Sequence, residues 1–238
     1  IRASTGLSRR VGATALSDDE HEGRGTAGLF RGDQALPRRQ QRRQGQGRVM
    51  IELDYAHDGA VALLTLKRPP ANAFTPDGLL MLQQTIERLN GEARVRAIVI
   101  SGDGPKFFSA GADLNTFADG NREVARTAAT RFGTAFETLQ NARPVVIAAI
   151  NGYAMGGGLE CALACDIRIA EQHAVMALPE TAVGLLPCGC GTQTLPWLVG
   201  EGWAKRMILT GERVDAETAL RIGLVEEVGT RALHARPR

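Results

Sequence analysis

The run Val145–Ile150 (VVIAAI) carries no polar position over six residues, so a strand built from it must be covered on both faces. Such a strand belongs in a sheet flanked by helices, and the neighbouring pattern supplies them. VRAIVIS (95–101) reads as a second buried strand, and DIRIA (166–170) as a third, with a short strand at 174–177 behind it. Residues 76–90 place Leu79, Leu82, Ile86 and Leu89 on one helical face, with Thr75 as N-cap, Pro76 at the first helical position and Gly91 at the end. Further helices are predicted over 121–141, 158–165, 193–209 and 215–222, the last opening at Asp215 and closing at Gly223. Ahead of them, MIELDY and VALLTL form a hairpin that turns at Asp58-Gly59. The expectation is an α/β chain with mainly parallel pairing after the first hairpin, and no internal repeat.

Charge divides the chain before structure does. Residues 1–48 hold ten Arg and five acids, a net of +5, whereas residues 49–238 sum to −3. The Gly-, Gln- and Arg-rich leader has no apolar period and too little apolar surface to offset its chain entropy, so residues 1–48 are expected to be disordered. Its first 17 residues contain no acid, so they would suit a mitochondrial transit peptide; the reading favoured is sequence upstream of a start at Met50, in a cytoplasmic, bacterial setting. Residues 49–228 are expected to hold the folded domain, and 229–238 an irregular, truncated tail. The acidic balance of the folded part gives no case for nucleic acid, and no apolar run reaches the 18 or so residues of a membrane span. Cys161, Cys165, Cys188 and Cys190 match no zinc spacing and are expected as reduced thiols, with no metal.

Several chemistries drop out for lack of their motifs. There is no G-x-S-x-G elbow, no phosphate loop and no dinucleotide fingerprint, and the four His are scattered. Two segments remain. FFSAGADL (107–114) follows a strand with small residues that let a ligand approach the main chain, and NGYAMGGGLE (151–160) places three glycines at the start of a helix. An amide from each would form an oxyanion hole; alternatively, the glycines only permit close helix–sheet packing. Glu160 lies in the first turn of that helix and Glu180 in the apolar stretch AVMALPETAVGLLP. Two carboxylates in unlike surroundings can divide acid and base roles, but Glu160 serves equally well as an N-terminal helix charge and Glu180 as the cap of a turn.

FSAGADL, VIAAINGYAMGGGLECALACDIRIA, PETAVGLLP, GTQTL and TGERVDAETALRIGLVEEV, in this order and at these intervals, resemble the enoyl-CoA hydratase (crotonase) family from about Met50 to Val228. The resemblance implies the ClpP/crotonase fold, an α/β spiral of ββα units, here with most of its C-terminal helical layer missing. It implies an acyl-CoA thioester whose carbonyl is held by the amides of Ala112 and Gly157. Glu160 would act as base on a water adding to Cβ, and Glu180 would deliver a proton to Cα. Ala73, Ala110, Asp113, Leu114, Asn115, Gly156, Pro179 and Cys188 match positions beside the substrate. No cofactor is implied, since coenzyme A belongs to the substrate, and a homotrimer or hexamer is the assembly implied for a full-length chain. An isomerase, which works with the Glu180 position alone, is the nearest other activity. Some relatives bind RNA through a Lys-rich helix, but helix 76–90 offers only Arg88. One departure stands out: Pro187-Cys188-Gly189-Cys190-Gly191 puts Cys188 where hydratases often carry glycine.

Overall fold

A computed structural model describes residues 50–229; the leader 1–48 and all of the tail but Gly229 lie outside the described residues. The hairpin forms as its sequence requires. β1 (Ile51–Ala56) pairs antiparallel with β2 (Val61–Leu66) across a single turn of 3-10 helix, in which His57, Asp58 and Gly59 all have positive φ. From there every pairing in the main sheet is parallel: β2 with β3 (Ala97–Gly102), β3 with β5 (Val145–Ile150), β5 with β7 (Ile167–Glu171), and β7 with β10 (Glu227–Gly229).

Helix α1 (Pro76–Gly91) starts where Thr75 Oγ1 accepts the Gly78 N–H, and its Leu79, Leu82, Ile86 and Leu89 are buried. They join Phe132, Phe136 and Leu139 of α2 (Arg122–Gln140), together with Leu64, Ile98 and Ile100 of the sheet, in one apolar core.

The predicted element pattern needs two corrections. Segments read as loop, 107–114 and the approach to the glycines, contain β4 (Phe107–Ser109) and β6 (Tyr153–Met155). With β8 (Val175–Ala177) and β9 (Val214–Asp215) they build a second sheet of order β4-β6-β8-β9. Only β8 answers to an expected strand; strands of two or three residues are too short to show a period of two, so tertiary pairing alone reveals β4, β6 and β9. The second correction concerns α4 (Gly191–Thr210), read as one helix over 193–209. It is interrupted at Gly200, where φ is +76° and ψ is 162°, a conformation reserved in practice for glycine. The remaining helices are short: α3 (Gly157–Leu163) and α5 (Ala216–Arg221), the latter capped by Asp215 as its sequence predicts. Among the described residues, no helix is long and apolar enough to cross a membrane.

One buried cation ties the end of the sheet together. Arg168 donates from Nε to the Leu224 carbonyl (3.0 Å) and from Nη1 to the Cys165 carbonyl (2.8 Å), and pairs with Glu226 through Nη2. Replacing it with Met would leave two buried carbonyls without donors, whereas Glu226 is 43% exposed and would simply rehydrate. Arg168→Met is therefore expected to lower the unfolding free energy by about 2–4 kcal/mol, read from a urea denaturation curve. An unchanged midpoint would mean that water takes over the guanidinium's bonds.

Candidate active site

The site is built where the two sheets meet α3. After β4 the chain runs beside residues 71–74: Ala110 N–H donates to Ala71 O, Phe74 N–H to Gly111 O and Asp113 N–H to Phe74 O. This is a parallel bridge between Phe74 and Ala112, and its hydrogen-bond pattern turns the N–H of Ala112 itself away from Phe74. Among the described residues that N–H has no partner, and neither has the N–H of Gly157 at the first position of α3. The two segments are in contact. Gly111 (φ +83°) lies so close to the glycine run that a Cβ there would stand 2.6 Å from Met155 O and 2.9 Å from Gly157 N. A Cβ on Gly158 would meet Ser109 O at 2.2 Å. The glycines therefore do allow close packing, and the same packing leaves two free amides at its edge.

Gly156 adds a second reason. Its φ is +52°, and a Cβ would come within 2.9 Å of Glu180 Oε1. Glu180 follows Pro179 at the start of a 3-10 turn (Glu180–Val183) and is half-buried. Its Oε2 is buried with no hydrogen-bond partner. Desolvation, helped by the negative charge of Glu160, pushes its carboxyl up to about 7, against the smaller opposing pull of a backbone hydrogen bond.

Glu160 has the opposite surroundings. It is 1% exposed, and its Oε1 accepts three backbone N–H groups, from Gly189 (2.8 Å), Cys190 (3.0 Å) and Gly191 (2.8 Å). These donors belong to the turn into α4. Side chains would obstruct it, since a Cβ on Gly189 would strike the Phe136 ring at 2.4 Å and one on Gly191 would press on Glu160 Oε1 at 3.1 Å. This turn escaped the sequence reading because its contribution is main-chain N–H, which no side-chain motif announces; the glycines flanking Cys190 were the available signal.

The other candidate residues occupy different places. Ala73 and Ala110 are half-buried on the paired segments, and the Ala73 carbonyl receives Arg68 Nη1 at 3.5 Å. Asp113 pairs with Arg68 at 2.5 Å and caps a 3-10 turn (Leu114–Phe117) by accepting the Asn115 N–H. Burial works to raise its carboxyl, but the Asn115 hydrogen bonds and the Arg68 cation prevail and hold it below the usual carboxylate range. Leu114 and Asn115 are exposed on that turn. Cys188 is exposed, while Cys161, Cys165 and Cys190 are buried. A cleft of about 440 Å³ opens outward from the Glu160-holding turn, with Cys188, Gly189 and Cys190 on one side, Gly133 and Glu137 of α2 on the other, and Trp197 at its rim. Phe132 and Phe136, edge-to-face with centroids 5.6 Å apart, pack close to Gly157 and Gly189 respectively.

Residues 56–234 match the family model for enoyl-CoA hydratase/isomerase. The chain belongs to the enoyl-CoA hydratase/isomerase family. It is 41% identical over 172 residues to the short-chain-enoyl-CoA hydratase of Clostridium acetobutylicum, covering 72% of this chain and 66% of that one. It is 39% identical over 169 residues to the crotonyl-CoA hydratase of Syntrophomonas wolfei, covering 71% and 65%. Among solved structures, DspI of Pseudomonas aeruginosa matches at 64% identity and a TM-score of 0.75, over 78% of this chain and 75% of that one. An enoyl-CoA hydratase of Bacillus anthracis matches at 42% and 0.73, over 76% and 70%. The chain thus spans about two thirds of the length of the curated relatives it matches, and its fold is that of the enoyl-CoA hydratase/isomerase family.

Proposed function

We propose that the chain hydrates a trans-2-enoyl-CoA, adding water syn across the double bond, and dehydrates the 3-hydroxyacyl-CoA in reverse. The observation that carries this reading is the contrast between the two glutamates: Glu160 Oε1 receives three N–H donors, while Glu180 keeps a buried oxygen with no partner. Three donors and no acceptor suit an anion, so Glu160 serves as the base that takes a proton from water as its oxygen bonds to Cβ. The electrons of the double bond move onto the thioester oxygen, where the amides of Ala112 and Gly157 stabilise the enolate. Glu180, whose carboxyl titrates near 7, delivers a proton to Cα. The thioester and the two amides together act as the electron sink, so the mechanism uses no metal or redox cofactor. The substrate class is an acyl-CoA thioester, in line with the short-chain-enoyl-CoA and crotonyl-CoA hydratases among its relatives.

The test is loss of the enoyl thioester absorbance when the chain is given crotonyl-CoA, followed from pH 5 to 9. Hydration should decline as pH rises through about 7, because Glu180 must begin protonated. A folded chain that leaves crotonyl-CoA intact but moves the double bond of a 3-enoyl-CoA would replace this reading with the isomerase, which needs one proton shuttle rather than two.

A further inference from the structure

The free amide of Ala112 depends on buried polar groups on the far side of its strand. Asn72 is 4% exposed with φ at +51°, and nothing in the sequence marked it. Its Oδ1 accepts the Arg68 N–H (3.1 Å), and its Nδ2 donates to the carbonyls of Asp103 (3.0 Å) and Phe107 (2.9 Å). One side-chain amide thus ties the 68–72 turn to both ends of the loop entering β4. The Asn72 carbonyl in turn accepts the hydroxyl of Ser109 (2.8 Å), and the same Ser109 Oγ accepts the Gly111 N–H (3.1 Å). Ser109 is fully buried, so both hydrogen bonds are made out of contact with bulk solvent.

We infer that Asn72 and Ser109 are positioning residues of the oxyanion hole, acting through Gly111 on the direction of the Ala112 N–H. Gly111 has a positive φ and no side chain, so sterics alone restrict its torsions little and leave the orientation of the following peptide open. Hydrogen bonds must set that peptide: its carbonyl is held by the Phe74 N–H, and the Gly111 N–H by Ser109. A hydroxyl is the smallest group that donates one way and accepts the other, and the relay needs both. Gly158 is fitted to the same residue, because a Cβ there would stand 2.2 Å from the Ser109 carbonyl and 3.0 Å from its Cβ.

This inference rests on the reading of the Ala112 and Gly157 amides as an oxyanion hole, and one probe separates the two. Cinnamoyl-CoA is a conjugated thioester whose absorption moves to longer wavelength when donors polarise its carbonyl. Bound to the unaltered chain it should show that red shift. In Ser109→Ala the shift should fall by half or more, with kcat down about 10–100-fold and KM within about threefold, since a misdirected donor harms the enolate more than the ground state. Ser109→Cys, nearly isosteric but a weak donor and acceptor, keeps the question open to measurement should the alanine variant fail to fold, and its shift should fall between the two. Ile86→Val, in the α1 core, supplies a destabilised control whose shift and kcat stay unchanged. A full red shift in a folded Ser109 variant overturns the positioning role and leaves the hole in place. Absence of any shift in the unaltered chain overturns the hole itself, and the positioning role with it.

Discussion

Glu180→Gln is expected to abolish hydration of crotonyl-CoA and, above pH 7, to make the folded chain more stable. Loss of the proposed proton donor should lower kcat by about 10²–10⁴-fold. The stability effect follows from linkage. The Glu180 carboxyl sits at about 7 in the folded chain against 4.5 for the ordinary side chain, so the folded state holds its proton more tightly than the unfolded state does. The stability this contributes is fully present below pH 4.5 and is lost as pH rises through 7. At pH 8 the ionised, desolvated carboxylate then costs about 3 kcal/mol relative to pH 4, an upper figure because part of the side chain meets solvent. Glutamine removes that dependence. Urea midpoints at pH 5 and pH 8 should therefore converge for the variant and diverge for the parent, so far as this one group is concerned. A variant that is inactive and also less stable at pH 8 would mark Glu180 as a structural residue.

Glu160→Gln is the second large effect, and it separates charge from shape. The glutamine oxygen can take the place of Oε1 and accept the same three N–H groups, from Gly189, Cys190 and Gly191, so the turn into α4 and the fold should persist. What disappears is the proposed base, and hydration should fall by about 10²–10⁴-fold. Removing the charge also removes one of the causes that raise the Glu180 carboxyl, so Glu180 should titrate lower in this variant, though still above 4.5 because desolvation is the larger cause. Carboxyl ¹³C titration of the two glutamates, assigned through the two variants, reads this directly. Near-normal hydration by a folded Glu160→Gln chain would remove Glu160 from the mechanism.

Both variants also bear on the isomerase. Loss of double-bond migration in Glu180→Gln, with migration retained in Glu160→Gln, is the pattern expected of a single-proton shuttle. Loss of hydration in both is the pattern expected of two groups acting at the two carbons of the double bond.

What local pattern could determine, it determined well. The parallel sheet follows from apolar runs such as Val145–Ile150, which allow no exposed face, and α1 follows from Thr75, Pro76 and four leucine and isoleucine positions at helical spacing. Those features rest on periodicity and capping, which act within a few residues of chain. The second sheet was largely out of reach: its β8 was legible as a short strand, but β4, β6 and β9 exist only by pairing across distant segments. The site divides in the same way. The glutamates and glycines were visible as residue types, and the family resemblance ordered them, but their settings were decided by contacts over long separations. Glu160 meets N–H donors about thirty residues onward, Glu180 lies against Gly156, and Asn72 reaches Phe107 and Ser109. A carboxylate's charge, an amide's freedom and a hydroxyl's direction each depend on what surrounds them, and only the folded chain supplies those surroundings.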